Sequence, residues 1–147
     1  MSSYFYRQFG YGVCLSDFKN IDIQKLIDLI QETPKVAESF NEWVKNAGYD
    51  IKDITLEELD DYDYVQWTGL GLILTGLIWE NEKIDLLRVR DVEDNVYLLY
   101  DPKYPWDLSL AEQVLSATAL KDIFIKYLSR ITDEEIIVDY QDPECGG

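Results

Sequence analysis

The chain has 147 residues, a net charge of −16 and no histidine. Without histidine there is no Ser-His-Asp or Cys-His catalytic arrangement and no His-ligated metal site. With 29 acids against 13 bases, direct binding to nucleic acid is disfavoured too, because phosphates require clustered Lys and Arg.

Four Trp, eleven Tyr and a 47% hydrophobic content supply enough apolar material for one core without disulfide support. The cysteines, Cys14 and Cys145, lie near opposite ends and form no C-x-x-C. Met1 to Arg7 has no basic segment leading into an apolar one. Val65 to Trp79 is the one long apolar run, and its 15 residues fall short of the ~20 that a membrane span needs. The expectation is a soluble, cytoplasmic protein.

In chain order, Tyr4 to Leu15 is aromatic and β-branched and reads as a strand bent at Gly10 and Gly12. Ile23, Leu26, Ile27 and Ile30 make an amphipathic helical stripe, and Thr33-Pro34 has the order of an N-cap followed by N1 proline. A second helix uses Val36, Ala37, Phe40, Trp43, Val44 and Ala47, with Gly48 as its stop. Thr55-Leu56-Glu57-Glu58 is a capping box that opens a short helix from Leu56 to about Asp61. Three strand-like runs follow: Gly69 to Trp79, Ile84 to Val92 and Val96 to Tyr100. Asn81-Glu82-Lys83 and Glu93-Asp94-Asn95 are read as the tight connections between them.

A second capping box, Ser109-x-x-Glu112, opens a long helix whose buried stripe is Leu110, Val114, Ala117, Leu120, Phe124, Leu128 and Ile131. Ile136 to Val138 is a last strand, and residues 141–147 read as a flexible acidic tail. The predicted architecture is one α+β domain over residues 1–147. Its largely antiparallel sheet has about five strands in β-α-α-β-β-β-α-β order and is covered by helices.

Catalytic and ligand motifs fit poorly. No P-loop occurs, and no G-x-G-x-x-G joins a strand to a helix. Asp85 reads as the outward position of an alternating strand, and Asp101-Pro102-Lys103 as a turn rather than a nuclease motif. Asp61-x-Asp63 lacks the glycine and terminal glutamate of a calcium loop, and Cys14 reads as an inert core residue. No cofactor and no metal are expected.

The acids are concentrated. Asp53 to Asp63 carries six acids and no base, Asp91 to Asp94 carries three, and Asp133 to Glu144 carries six. On an α-helix Glu57, Asp60 and Asp61 would share one face, where like charges repel, and Tyr62, Tyr64 and Trp67 follow as potential anchors. Duplex DNA carries one charge per ~1.7 Å of axis, so dense carboxylates on a rigid scaffold can imitate it. This small, acidic, cofactor-free composition resembles that of phage anti-restriction and anti-CRISPR proteins and of immunity proteins against nuclease toxins.

The resulting expectation is a non-enzymatic inhibitor that occludes a basic, nucleic-acid-binding groove of a partner protein. The contact residues would be Glu57, Glu58, Asp60, Asp61 and Asp63, with Tyr62, Tyr64 and Trp67, and then Asp91, Glu93 and Asp94. Neither nucleic acid nor membrane is bound directly. The alternatives are an enzyme or small-ligand protein built on carboxylates and tyrosines, an acidic assembly subunit, and patches that only keep the protein soluble.

Overall fold

In the computed structural model, which describes residues 5–101 and 103–146, the predicted first strand is two strands. They are β1 (Phe5–Arg7) and β2 (Gly10–Cys14). Helix α1 (Ile23–Gln31) begins at Asp22, whose carboxylate accepts the N–H groups of Gln24 and Lys25, both at 3.1 Å. Helix α2 (Pro34–Ala47) starts with proline and ends on Gly48 at φ 77°. Thr33 does not cap α2 with its side chain; its hydroxyl instead accepts a 2.9 Å bond from Asn81.

Gly69 to Trp79 is not a strand. It belongs to α3 (Gly69–Glu82), capped by the Thr68 hydroxyl and closed at Lys83 in the left-handed conformation. Asn81-Glu82-Lys83 is therefore the helix end, not a hairpin connection. The segment is apolar on every side, so it shows no 3.6-residue stripe, and it is longer than an ordinary buried strand. Its position explains the pattern: α3 touches α2, the later helix Ala117–Leu128, the 3-10 turn at Glu58–Tyr62 and the strands Leu87–Arg90 and Val96–Tyr100. Ile73, Leu74, Leu77 and Ile78 are fully buried in one core with Leu26, Ile30, Phe40 and Phe124.

The predicted hairpin forms from β3 (Leu87–Arg90) and β4 (Val96–Tyr100). Asp85 lies exposed just ahead of β3, 3.6 Å from the Lys103 ammonium. Pro102, within the Asp101-Pro102-Lys103 motif, lies outside the described residues. Ser109 and Glu112 do make a capping box, but the helix they open, α4 (Leu110–Gln113), ends after one turn. Ser116 then caps a separate helix, α5 (Ala117–Leu128). The break splits the predicted stripe. Leu120, Phe124, Leu128 and Ile131 are buried, whereas Leu110, Val114 and Ala117 are exposed.

The last strands also differ from expectation. The strand falls at β5 (Asp139–Gln141) instead of Ile136 to Val138, although Val138 is buried. Residues 144–146, predicted as loose tail, form β6 (Glu144–Gly146), which pairs with β1 and buries Cys145. The main sheet is antiparallel in the order β3-β4-β2-β5. Cys14 is only half-buried, yet burial still pushes its thiol up, away from the reactive thiolate. Among the described residues no helix is long and apolar enough to cross a membrane.

Glu112 ties the short helix to the core. Its carboxylate accepts the N–H groups of Ser109 at 3.0 Å and Asp85 at 3.2 Å, and lies 2.5 Å from the Lys103 ammonium. Burial opposes its ionisation, but these bonds outweigh burial and hold the carboxyl below the ordinary glutamate range. A depressed folded pKa gives stability that is present above the unfolded value of 4.5 and is lost as pH falls through the folded one. Glu112→Gln is expected to lower stability by about 1–3 kcal/mol at neutral pH, with the gap to the parent closing below about pH 4.5. Urea titrations at several pH values check this, and identical midpoints at pH 7 would contradict it.

Candidate partner-binding surface

The acidic segment from Asp53 to Asp63 does not form the predicted α-helix. The Thr55–Glu58 capping bonds are made, yet the turn they open is a 3-10 helix, Glu58–Tyr62. With three residues per turn, Glu57 lies over Asp60 and Glu58 over Asp61, so the predicted shared face divides. Glu57 and Asp60 face a cleft, whereas Asp61 lies beside Tyr49, whose hydroxyl is 3.5 Å from its carboxylate. Glu58 is half-buried, with one oxygen used in the cap.

Asp63 is not a surface residue. It is 1% exposed, and its carboxylate accepts the N–H groups of Val65, Gln66 and Thr68 at 3.1–3.4 Å. Arg88 completes its surroundings: Nε stands 3.2 Å from Oδ2, off the hydrogen-bond axis, and Nη2 reaches Oδ1 at 3.5 Å. Tyr62 also turns inward, with its ring edge-on to Phe40 and Trp43. Of the three predicted aromatic anchors, Tyr64 and Trp67 remain exposed, at 82% and 58%. Trp67 holds φ 56°, a conformation that costs a bulky residue on the order of 1–3 kcal/mol and persists only when its surroundings impose it.

Arg90 is what imposes it. Its guanidinium donates to the carbonyls of Gln66, Trp67 and Asp94, and stands 3.9 Å from the Asp94 carboxylate. It thereby joins the aromatic loop to the β3–β4 turn. That turn is organised by Asp91, which accepts the N–H groups of Glu93 and Asn95 and the Tyr97 hydroxyl. Burial works against the Asp91 charge, but these donors hold its carboxyl below the usual aspartate range. Asp91 is therefore a turn-former, and Glu93 and Asp94 are the exposed acids there. Arg88 and Arg90 alternate on one face of β3, and that spacing was the signal in the sequence for two clamps facing the acidic segment.

The clamp leaves a cleft of about 430 Å³, with Glu57, Asp60, Trp67 and Asp94 around Arg90 over a floor of Leu70 and Val96. Burial raises the Asp60 carboxyl above the usual range; Arg90 and the Gly69 N–H partly offset this, and the neighbouring Asp61 and Glu57 add to it. On the other side of the turn, Asp91 and Glu93 share a smaller cleft of about 290 Å³ with Arg7, Asp142 and Glu144. The Val92 N–H donates to the Glu144 carbonyl there at 2.9 Å. All three acidic segments of the sequence thus contribute to the two clefts that flank the β3–β4 turn. Asp133, Glu134 and Glu135 do not join it, and Glu134 instead accepts the N–H groups of Lys19 and Asn20. Among the described residues no three acids or cysteines are grouped closely enough to hold a metal ion.

Comparison of the chain with protein families, with curated proteins and with solved structures finds no match.

Proposed function

We propose that the protein is a non-enzymatic binding module that inhibits a basic-surfaced, nucleic-acid-binding partner by occupying its groove. The observation that carries this reading is the convergence just described. Segments about 30 and 50 residues apart in sequence meet at the β3–β4 turn, where Glu57, Asp60 and Asp94 line one cleft with the exposed Trp67, and Glu93, Asp142 and Glu144 line a second. Carboxylates gathered at this density repel one another, and a cationic groove would relieve that repulsion. Trp67 supplies the desolvated anchor that a purely charged surface lacks. Tyr64 extends the aromatic rim. Asp63, Tyr62 and Asp91 hold the scaffold on which these contacts sit.

The test is capture of the partner by the immobilised protein, compared with a Glu57→Gln, Asp60→Asn, Asp94→Asn variant that retains side-chain shape. Asn tolerates the positive φ of 66° at position 94. Affinity of the parent should fall steeply between about 0.05 and 0.5 M salt, and the variant should bind at least about tenfold more weakly. Duplex DNA should elute the captured partner. Salt-insensitive capture, or a partner that duplex DNA does not displace, would overturn the reading.

A further inference from the structure

The segment between β4 and α5 carries a second surface that none of the three acidic segments shares. Tyr104 and Trp106 stack with ring centroids 4.8 Å apart and planes 2° from parallel, and both rings are exposed, at 66% and 77%. Leu110 and Val114, which the helical stripe placed in the core, are 83% and 84% exposed. These four side chains lie within eleven consecutive residues and present on the order of 600 Å² of apolar surface, the upper end for the largest patch on a monomer.

The backbone beneath them is not slack. Glu112 bonds Ser109, Asp85 and Lys103, and the Ser109 hydroxyl donates to the Lys83 carbonyl at 2.7 Å. The Asp107 N–H closes onto the Tyr104 carbonyl at 2.9 Å. Four apolar side chains are thus held outward by a framework that is already ordered, and association there would sacrifice little conformational freedom.

We propose that this face is where two copies of the chain meet about a two-fold axis. Charge selects the occupant. Every other exposed apolar group near the sheet has acids beside it: Phe5 and Tyr6 adjoin Arg7, Asp142 and Glu144, and Ile137 and Tyr140 flank Asp139. From Tyr104 to Leu120, by contrast, the exposed charge is Asp107 alone, because Glu112 is buried against Lys103, which also stands 3.6 Å from the carboxylate of the neighbouring Asp85 and offsets it. Two chains of −16 approach at the lowest electrostatic cost through a face that carries so little charge. Area agrees as well: the four side chains with their polar rim approach the ~800 Å² per partner of a standard interface. In the proposed dimer the two-fold axis runs between the aromatic pair and the aliphatic pair, so that the rings of each copy would lie on the Leu and Val of the other.

Sedimentation equilibrium on the full chain, from about 1 to 100 µM, tests this. The expected species is a dimer of twice the 17.2 kDa chain mass, whose association tightens as salt rises from about 0.05 to 0.5 M, since screening weakens the repulsion between copies. Partner capture at the acidic surface changes with salt in the opposite sense, so the two ideas fail separately. Leu110→Glu with Val114→Glu, and independently Trp106→Ser, should each raise the dimer dissociation constant at least about tenfold while leaving the urea midpoint near the parent value. A parent that stays monomeric throughout overturns the proposal, as does a dimer that survives both variants. A monomeric parent whose partner capture is lost on Trp106→Ser would assign the face to that partner and likewise overturn the dimer.

Discussion

Gly69→Ala is expected to cost about 4 kcal/mol or more, or to prevent folding outright. A Cβ at this position would stand 1.7 Å from the Leu59 carbonyl oxygen and 2.5 Å from its carbon, both backbone atoms that no rotamer change can move. Relief requires the 3-10 turn to lift off the start of α3, and that movement would carry Asp60 and the cleft with it. Gly76, in the same helix, provides the control. Its Cβ would meet only Val36, at 3.5 Å, so Gly76→Ala should stabilise by about 0.5–1 kcal/mol through helix propensity alone. Urea unfolding of the two variants separates contact from propensity, and a Gly69→Ala protein as stable as its parent would refute the account.

Asp63→Ala is the second severe change, at about 3–5 kcal/mol. It leaves the largely buried Arg88 guanidinium without its counter-charge and removes the acceptor for three backbone N–H groups in the loop that presents Trp67. Asp63→Ala combined with Arg88→Met should be less damaged than the sum of the single changes, by about 1–3 kcal/mol, because no unpaired charge stays behind. It should not recover fully, since the loop amides remain unbonded. Denaturant unfolding of the four proteins gives the coupling; strict additivity would show that the pair does not interact.

The contrast between Asp63 and Asp94 shows how far the candidate surface was legible in the sequence. Composition located the acids, and adjacency located Tyr64 and Trp67, but the same carboxylate serves as exposed charge or as internal acceptor. Which role it takes depends on donors distant in the chain. Arg88 is 25 positions from Asp63, and nothing near Asp63 announced it. Asp91 was nearer to recognition, because an Asp with Asn four residues later at a hairpin tip is a pattern for side-chain-to-backbone turn bonds.

The fold divides along the same line. The α1 and α2 stripes, the Asp91–Asn95 turn and both capping boxes were readable because each is settled within a few residues. The α+β class followed from them. Helix α3 was misread because apolar residues cover every side of it, including the less buried face of Leu72 and Trp79, and an apolar residue on every side erases the periodicity that distinguishes helix from strand. The α4–α5 break was missed because Ser116, a second N-cap seven residues after Ser109, was taken as an ordinary position in a continuous helix. The last strand emerged only through its pairing with β1 at the far end of the chain, a contact with no local trace.

That pairing makes the described chain nearly circular. Phe5 lies opposite Gly146, so the first and last described residues sit side by side, beside the cleft that Arg7, Glu93 and Glu144 share. Linking the ends and reopening the chain at the exposed Gly48 junction after α2 would move both termini to another part of the molecule while the order of packed elements in space stays as it is.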